Sequence, residues 1–463
     1  MSRPTAEAQS PEHQANRLFP GLKWLSAEEA AAATRHRDDL LRSLAPETER
    51  GFHGNKLHVG PLSPGCARCV SGTWSCAFFS SACNASCFFC PSSREAWQDN
   101  ALCADMLMFG RSRNFADYVD RLGFNGASFS GGEPLLLMGK VLEGLAALRK
   151  TSGQRLHLWL YTNGLLVTEN RLKRLRAAGL DEMRFNICAA GYDLKAVSLA
   201  VKFIPTVTVE IPMIPEDYER VRNLLGPMKR IGVKHLNLHQ LYVSRGNHRA
   251  FGRRGYTGLR LPCTPTLESE LAALRILRAA LDGGVGIPIN YCSMTYRDRV
   301  TAWSRRRRAA ALMKMPCEDV TGAGYLRRFA IRGPRAELAN LSSSLARNMK
   351  ISRLWSRSDD PSEIYCHPRL IEALGSMPTQ VTLRYFECQL RQQPDQKGAQ
   401  TKRIRLNAEM TVCAQRMLRG EYTYLSPKVV DEIARPLDPA QENELLESIA
   451  PFEHLKEGFP ELS

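Results

Sequence analysis

The sequence predicts an α/β protein: a parallel sheet with helical crossovers, curled into a partial (β/α)6 barrel. A helical extension precedes it and a small α+β domain follows. Three observations predict this. From Thr73 to Ile289, short apolar β-rich runs alternate with amphipathic stretches. Parallel strands require such alternation, because each must be joined to the next by a long crossover. Polar, glycine-bearing motifs close successive runs, at the strand ends where a parallel barrel gathers its working groups. Finally, 463 residues exceed one ordinary core, so two or three domains are expected.

In residues 1–50, Ser26-Ala27-Glu28-Glu29 is a capping-box pattern that opens an Ala-rich helix running to about Leu44, and Pro46 stops it. Within 51–317 the candidate strands are Thr73–Phe79, Ala127–Ser130, Leu156–Tyr161, Glu182–Ile187, Thr206–Ile211 and Lys234–Leu241. One intervening helix starts at Thr168, a good N-cap, places Leu172 and Leu175 on one face and ends at Gly179. Another runs from Glu216 to about Arg230, with a break expected at Gly226-Pro227. Six units suit a partial barrel better than a complete eight-fold one. After Cys317 the rhythm changes, so 318–463 reads as a separate α+β domain of unassigned role. Its candidate strands are Phe329–Arg332, Lys350–Trp355, Gln380–Cys388 and Arg403–Leu406, with a helix at Arg369–Leu374 and a polar loop over Gln392–Gln400. No internal repeat is visible.

Hydrophobic residues make up 44% and charged residues 24%, the profile of a soluble globular protein. No charge-free stretch has membrane-spanning length, and the N-terminus lacks the apolar core of a secretory signal. The expected location is the cytoplasm, with no membrane partner. The net charge of +16 favours an anionic partner: nucleic acid, an acidic protein patch or a phosphorylated substrate. No aromatic-interleaved basic motif of a known nucleic-acid module accompanies it. Arg305 to Arg308 fall in a helical pattern that spreads them around its circumference. Such a run is ordinarily a solvated surface, and its functional reading is a docking site for an acidic substrate.

Six of the 14 cysteines lie between Cys66 and Cys90. In a reducing compartment such a cluster reads as metal or iron–sulfur ligation before disulfides. Cys83, Cys87 and Cys90 are spaced C-x3-C-x2-C, so each thiolate can take one iron of a cubane and leave the fourth iron open. A zinc site or ordinary buried thiols are the competing readings. Ser130-Gly131-Gly132-Glu133-Pro134 ends the second strand; its glycines allow close backbone approach, and Glu133 can accept a hydrogen bond from an ammonium group. Tyr161-Thr162-Asn163-Gly164 ends the third, offering a hydroxyl and an amide, although Asn-Gly alone is more often a turn. Glu210, Asn237 and His239 face the same mouth if their strands are so phased. Cys66, Cys69 and Cys76 could support zinc or an auxiliary cluster, with Cys103, Cys292 or Cys317 as a further ligand. Thiols packed under the barrel are the simpler reading. Cys103, shortly after the cluster loop, is also placed to reach the open iron.

The order of these motifs resembles the radical S-adenosylmethionine (SAM) superfamily. Within it, the chain is similar to uncharacterised proteins related to pyruvate formate-lyase activating enzyme, and to their sister group, the methanogenesis-marker radical methyltransferases. The resembling segments are Gly60–Cys69, the cysteine loop with Pro91, SGGEP, Leu160–Gly164, Ala178–Phe185, Val209–Pro215, His235–Leu241 and Asn290–Val300. Together they cover about residues 55–310. The resemblance implies a partial (β/α)6 radical SAM barrel and a [4Fe–4S] cluster on Cys83, Cys87 and Cys90. It implies S-adenosyl-L-methionine held by Ser130, Gly131, Gly132, Glu133, Thr162 and Asn163, with Phe89 lining the adenine and Glu210 and Asn237 at the mouth. It further implies an electron donor of flavodoxin or ferredoxin type. The implied reaction is reductive cleavage of SAM to a 5′-deoxyadenosyl radical, then hydrogen abstraction. Methylation or another carbon-centred change of a peptide, protein or other sizeable substrate follows. Some relatives carry methyl groups on cobalamin, but no cobalamin signature follows Cys317. His239-Gln240 stands where relatives often read asparagine-glutamate. Two alternatives stay open: a radical nucleoside- or tRNA-modifying enzyme, and a zinc-stabilised nucleic-acid-binding protein. The latter does not account for SGGEP and LYTNG closing successive strands.

Overall fold

The structure is a computed structural model that describes residues 18–91, 102–259, 264–373, 380–394, 400–424 and 444–462. The chain forms two compact units, residues 1–300 with 457–463, and residues 301–456.

The first unit contains the helix Ala27–Leu44. Its capping box is formed: Ser26 Oγ accepts from the Glu29 amide at 3.2 Å, and Glu29 Oε2 accepts from the Ser26 amide at 2.9 Å. A single turn at Ala45–Glu47 ends it at Pro46.

Seven parallel strands follow: β1 (Trp74–Phe78), β2 (Gly126–Ser130), β3 (His157–Thr162), β4 (Glu182–Phe185), β5 (Thr206–Pro212), β6 (His235–His239) and β7 (Ile289–Cys292). Each pairs with its neighbour in chain order. The antiparallel strand Lys56–Val59 covers β7, and Leu102–Ala104 covers β1. Among the described residues β1 and β7 do not pair, so the barrel is open.

Strand periodicity sorts the two faces. Leu158, Leu160, Met183, Val207, Val209, Leu236 and Leu238, all buried, point one way. The alternate positions, Tyr161, Glu182, Arg184, Thr208, Glu210 and Asn237, make a polar interior. Six strands were expected within a residue or two of these bounds. The seventh was not, because Ile289–Cys292 is four residues long and carries Asn290 and Cys292 on its inward face.

Thr168 caps the helix Glu169–Ala177, accepting from the Arg171 amide at 3.3 Å, and Leu172 and Leu175 are buried as expected. The helix Tyr218–Ile231 continues through Gly226-Pro227 rather than breaking there. A proline removes one backbone bond, but the buried stripe Val221, Leu225, Met228 holds both halves on one face.

The second unit is an antiparallel sheet in the order Trp355–Arg357, Glu363–Cys366, Leu326–Arg332, Gln380–Arg391, Thr411–Tyr424, Gln400–Arg405, with Asp319–Val320 beside Leu326–Arg332. Helices Arg335–Ala346 and Glu444–Glu453 pack Leu338, Leu345, Leu446 and Ile449 against Phe329, Ile331 and Leu383. The expected strand Lys350–Trp355 is instead a turn at Met349–Ile351 followed by Trp355–Arg357. Of the expected loop Gln392–Gln400, residues 395–399 lie outside the described residues. Arg305 to Arg308 belong to the helix Met294–Met313. Two of them are not simply solvated: Arg306 lies over Tyr325 and donates to the Ala323 carbonyl at 2.9 Å, and Arg307 lies over Trp303.

Candidate active site

The cysteine loop leaves the C-terminal end of β1 and runs directly against the glycine pair after β2. The Gly132 amide donates to the Ser80 carbonyl, and the Glu133 amide to the Ala82 carbonyl, both at 2.8 Å. A Cβ on Gly132 would lie 1.9 Å from the Ala82 oxygen. One on Gly131, where φ is +131°, would lie 2.5 Å from the Ser80 oxygen. The room left by both missing side chains is therefore filled by the loop that carries Cys83. Ser130 pairs in register with Phe78, the last residue before that loop. Cys83 and Cys87 are half-buried and Cys90 is exposed, with the Cys90 amide donating to the Cys87 carbonyl at 3.2 Å.

Glu133 is buried. Its Oε1 accepts from the Leu135 amide at 3.0 Å and the Thr162 hydroxyl at 2.9 Å, and its Oε2 from the Asn163 amide at 2.7 Å. The Asn163 side chain continues the path, donating to Asn84 Oδ1 at 2.7 Å and approaching Cys83 Sγ at 3.7 Å. The ends of β2 and β3 and the cysteine loop thus share one hydrogen-bonded relay. Burial pushes the Glu133 pKa up, against the pull of these bonds. Its three donors are all neutral, and Oε2 keeps one acceptor direction free of them. That is the environment in which a bound ammonium group would be favoured.

These groups fit the implied cofactors. Among the described residues no three His, Cys, Asp or Glu side chains converge on a single ion. A cubane asks for something else: three thiolates, each on its own iron, which one short loop at a strand end can provide.

Phe89 lies edge-on to Phe88 at 5.4 Å and packs near Phe251 and Tyr256. Its carbonyl accepts from Asn247 at 3.1 Å. Glu210 and Asn237 stand in register on β5 and β6, beside a residue not singled out from the sequence, Arg184. Its buried guanidinium donates to Glu182 and Glu210, each at 2.8 Å, and to Ser63 at 3.1 Å. Glu210 also meets His239 Nε2 at 2.9 Å and Asn237 Nδ2 at 2.7 Å. Burial alone would raise the Glu182 pKa, yet Arg184 and His157 bring it down to about 2. Gly65 lets the short helix Pro64–Val70 enter this interior, since a Cβ there would collide with Arg184, and its amide donates to Glu182 at 3.0 Å.

Of the other described thiols, Cys66, Cys69 and Cys292 lie within electrostatic reach of one another. Cys66 contacts Asn237 Nδ2 at 3.3 Å. Burial pushes Cys69 up to about 11 and Cys76 to about 12, leaving both protonated at neutral pH. Cys103 pairs with Phe78 at the end of β1, Cys292 ends β7, and Cys317 belongs to the second unit.

Comparison with known proteins adds an independent line. Residues 78–228 match the Radical SAM superfamily. A Methanocaldococcus jannaschii protein named as a glycyl-radical enzyme activating enzyme is 28% identical over 277 residues, covering 58% of this chain and 72% of that one. The GTP 3′,8-cyclase of Corynebacterium glutamicum is 33% identical over 108 residues, covering 23% of this chain and 28% of its own. The crystal structure of Streptococcus suis SuiB aligns at 12% identity with a TM-score of 0.33, over 47% of this chain and 48% of that one. Among the described residues no helix is long and apolar enough to cross a membrane. The matched segment begins on the last residue of β1 and takes in the cysteine loop, the glycine pair, Glu133 and Asn163. Residues 78–228 therefore form a radical SAM domain, which makes the chain an enzyme and implies S-adenosyl-L-methionine and a [4Fe–4S] cluster as its cofactors.

Proposed function

We propose that Cys83, Cys87 and Cys90 hold the cluster, that Gly131 to Glu133 with Asn163 hold SAM, and that the enzyme draws a hydrogen atom from a carbon of a peptide or protein. The observation that carries this reading is the relay from Cys83 and Asn84 through Asn163 to Glu133. When bound, the cluster and SAM supply an electron and a 5′-deoxyadenosyl radical. The chain's own residues do the rest. Glu133 receives the methionine ammonium group, because its buried carboxylate has only neutral donors. Asn163 fixes the loop relative to that carboxylate. Phe89 offers a ring beside the third thiol for the adenine. The polar interior around Arg184 and Glu210 forms the floor beneath. A protein substrate is supported by the activating-enzyme name of the M. jannaschii relative, and an electron donor of flavodoxin or ferredoxin type would complete the system.

Anaerobic reconstitution with iron, sulfide, reductant and SAM, followed by chromatography for 5′-deoxyadenosine, tests the proposal. The wild-type chain should form it, and Cys87→Ala should not. A fully reconstituted cluster whose spectrum ignores SAM, with no 5′-deoxyadenosine formed, would overturn it.

A further inference from the structure

Lys56 is a buried cation that meets no anion among the described residues. Only 1% of it is exposed. Its strand pairs with β7 in the register Leu57 with Tyr291, which brings Lys56 beside Cys292 at the C-terminal, open end of the barrel. Its ammonium group lies 3.9 Å from the centre of the Tyr296 ring. Among the described residues no carboxylate and no hydrogen-bond acceptor meets it. An ion so placed has given up its hydration and is unfavourable unless something compensates.

Arg297, on the helix that follows β7, is in a similar position. Its contacts are the Met294 sulfur at 3.3 Å and the Tyr242 ring at 5.5 Å. Among the described residues no carboxylate pairs with it. The two cations have neighbours in common. Both act on the Cys292 thiol and on the His239 imidazole, whose pKa burial lowers first and which they push in the same direction. The neighbouring thiols do not neutralise them, since burial raises both Cys69 and Cys292. The carboxylate in reach, Glu210, is already held by Arg184, Asn237 and His239. Around Lys56, Arg184 and Arg297 the carboxylates among the described residues are Glu182 and Glu210, three cations against two anions in this part of the interior.

We infer that Lys56 and Arg297 form a subsite for one carboxylate group of the substrate. The missing charge is single, which favours a carboxylate over a phosphate. The location separates it from the groups proposed for SAM. Glu133 and Asn163 stand at β2 and β3, whereas Lys56 and Arg297 stand by β6 and β7, toward the other edge of the open sheet. Building on the peptide reading above, the group is an acidic side chain or a chain end. The guanidinium gives a planar fork for its two oxygens, and the ammonium gives a desolvated point charge beside it.

The test uses the reconstituted, SAM-loaded full chain and ligand-observed NMR, with butyrate as probe, butyramide as its neutral counterpart and inorganic phosphate as the other anion. Wild type should transfer saturation to butyrate and not to butyramide. Lys56→Met and Arg297→Met should each weaken butyrate binding by about tenfold or more, the loss expected for a hydrogen bond between charged groups. Lys56→Arg should restore part of it. Arg297, half-buried, supplies a readable variant if Lys56→Met does not fold. Equal signals from butyrate and butyramide would overturn the subsite, and phosphate displacing butyrate at lower concentration would overturn the carboxylate assignment. Competition between butyrate and SAM would assign the cations to SAM's own carboxylate and overturn the substrate role. The readout needs no turnover, so an absence of 5′-deoxyadenosine would remove the radical reading and leave this result standing.

Discussion

The backbone amide of Asn163 meets the carboxylate of Glu133 at 2.7 Å, while the Asn163 side chain reaches Asn84 at the same distance. A single residue at the end of β3 therefore holds both the acidic group after β2 and the loop that carries the thiols. The three motifs read from the sequence are mechanically one object. A change in any of them should be felt by the others, and the kind of change decides which property is lost first.

Gly132→Ala should strip the cluster before it unfolds the chain. The new Cβ would lie 1.9 Å from the Ala82 oxygen, a backbone atom with no flexible side chain to give way. The loop must then move, one residue before Cys83. Iron and sulfide retained after anaerobic gel filtration should fall to a small fraction of the wild-type content, with far-ultraviolet circular dichroism unchanged. Full retention of both would show that the loop has more freedom than its contacts imply.

Glu133→Gln should separate SAM binding from cluster binding. The amide keeps the shape and its one oxygen can accept from Asn163, with its NH2 then facing the Leu135 amide and the Thr162 hydroxyl, but it removes the charge that a methionine ammonium group would meet. A hydrogen bond to a charged group contributes roughly 1.5–3 kcal/mol, so SAM affinity should drop by about ten- to a hundredfold in equilibrium dialysis. Iron content should stay near wild type. Glu133→Ala is the harsher variant, because it also leaves Thr162 and Asn163 without their acceptor.

Six strands and the helix caps were legible because each was written locally: an apolar run, a turn residue, a capping side chain. The seventh strand was not. Asn290 and Cys292 point inward and interrupt any apolar pattern, so Ile289–Cys292 exists because β6 and Lys56–Val59 pair with it from both sides. The long strand Thr411–Tyr424 escaped notice for a similar reason. Its Gln415 and Arg416 are buried yet polar, and its stability comes from pairing with Gln380–Arg391. The motif residues of the site were visible as letters, but Arg184 was not. In Glu182-Met183-Arg184-Phe185 it reads as the solvent side of an alternating strand, whereas the interior it faces is closed and polar.

That interior makes Arg184→Met a stability variant. Removing the guanidinium leaves Glu182 and Glu210 buried without their shared cation. Breaking one side of a buried ion pair typically destabilises by about 3–5 kcal/mol. Urea unfolding should show a loss of that order. Adding Glu210→Gln to the same chain should recover part of it, since one stranded charge is then gone. A loss below about 1 kcal/mol, the range of surface pairs, would mean that water reaches these carboxylates.

Glu270 gives stability a pH dependence with a defined sign. It is buried on the helix Leu267–Asp282, and its carboxylate accepts from Gln240 at 3.0 Å. Burial raises its pKa to about 7, only partly opposed by the charge of Arg37. The folded chain then holds this proton more tightly than the unfolded chain, whose glutamate titrates near 4.5. Below 4.5 both states are protonated and Glu270 contributes its full stability. Between 4.5 and about 7 only the folded state keeps the proton, so stability falls as pH rises and levels off above that range. The difference corresponds to roughly 3 kcal/mol. Glu270→Gln cannot ionise, so its unfolding free energy relative to wild type should climb by about that amount between pH 4.5 and pH 8. Glu133, whose pKa is raised in the same direction, is common to both proteins and drops out of the comparison. Urea titrations at four or five pH values would settle it. Curves that stay parallel would show that the Glu270 carboxylate is hydrated in solution and titrates as it does in the unfolded chain.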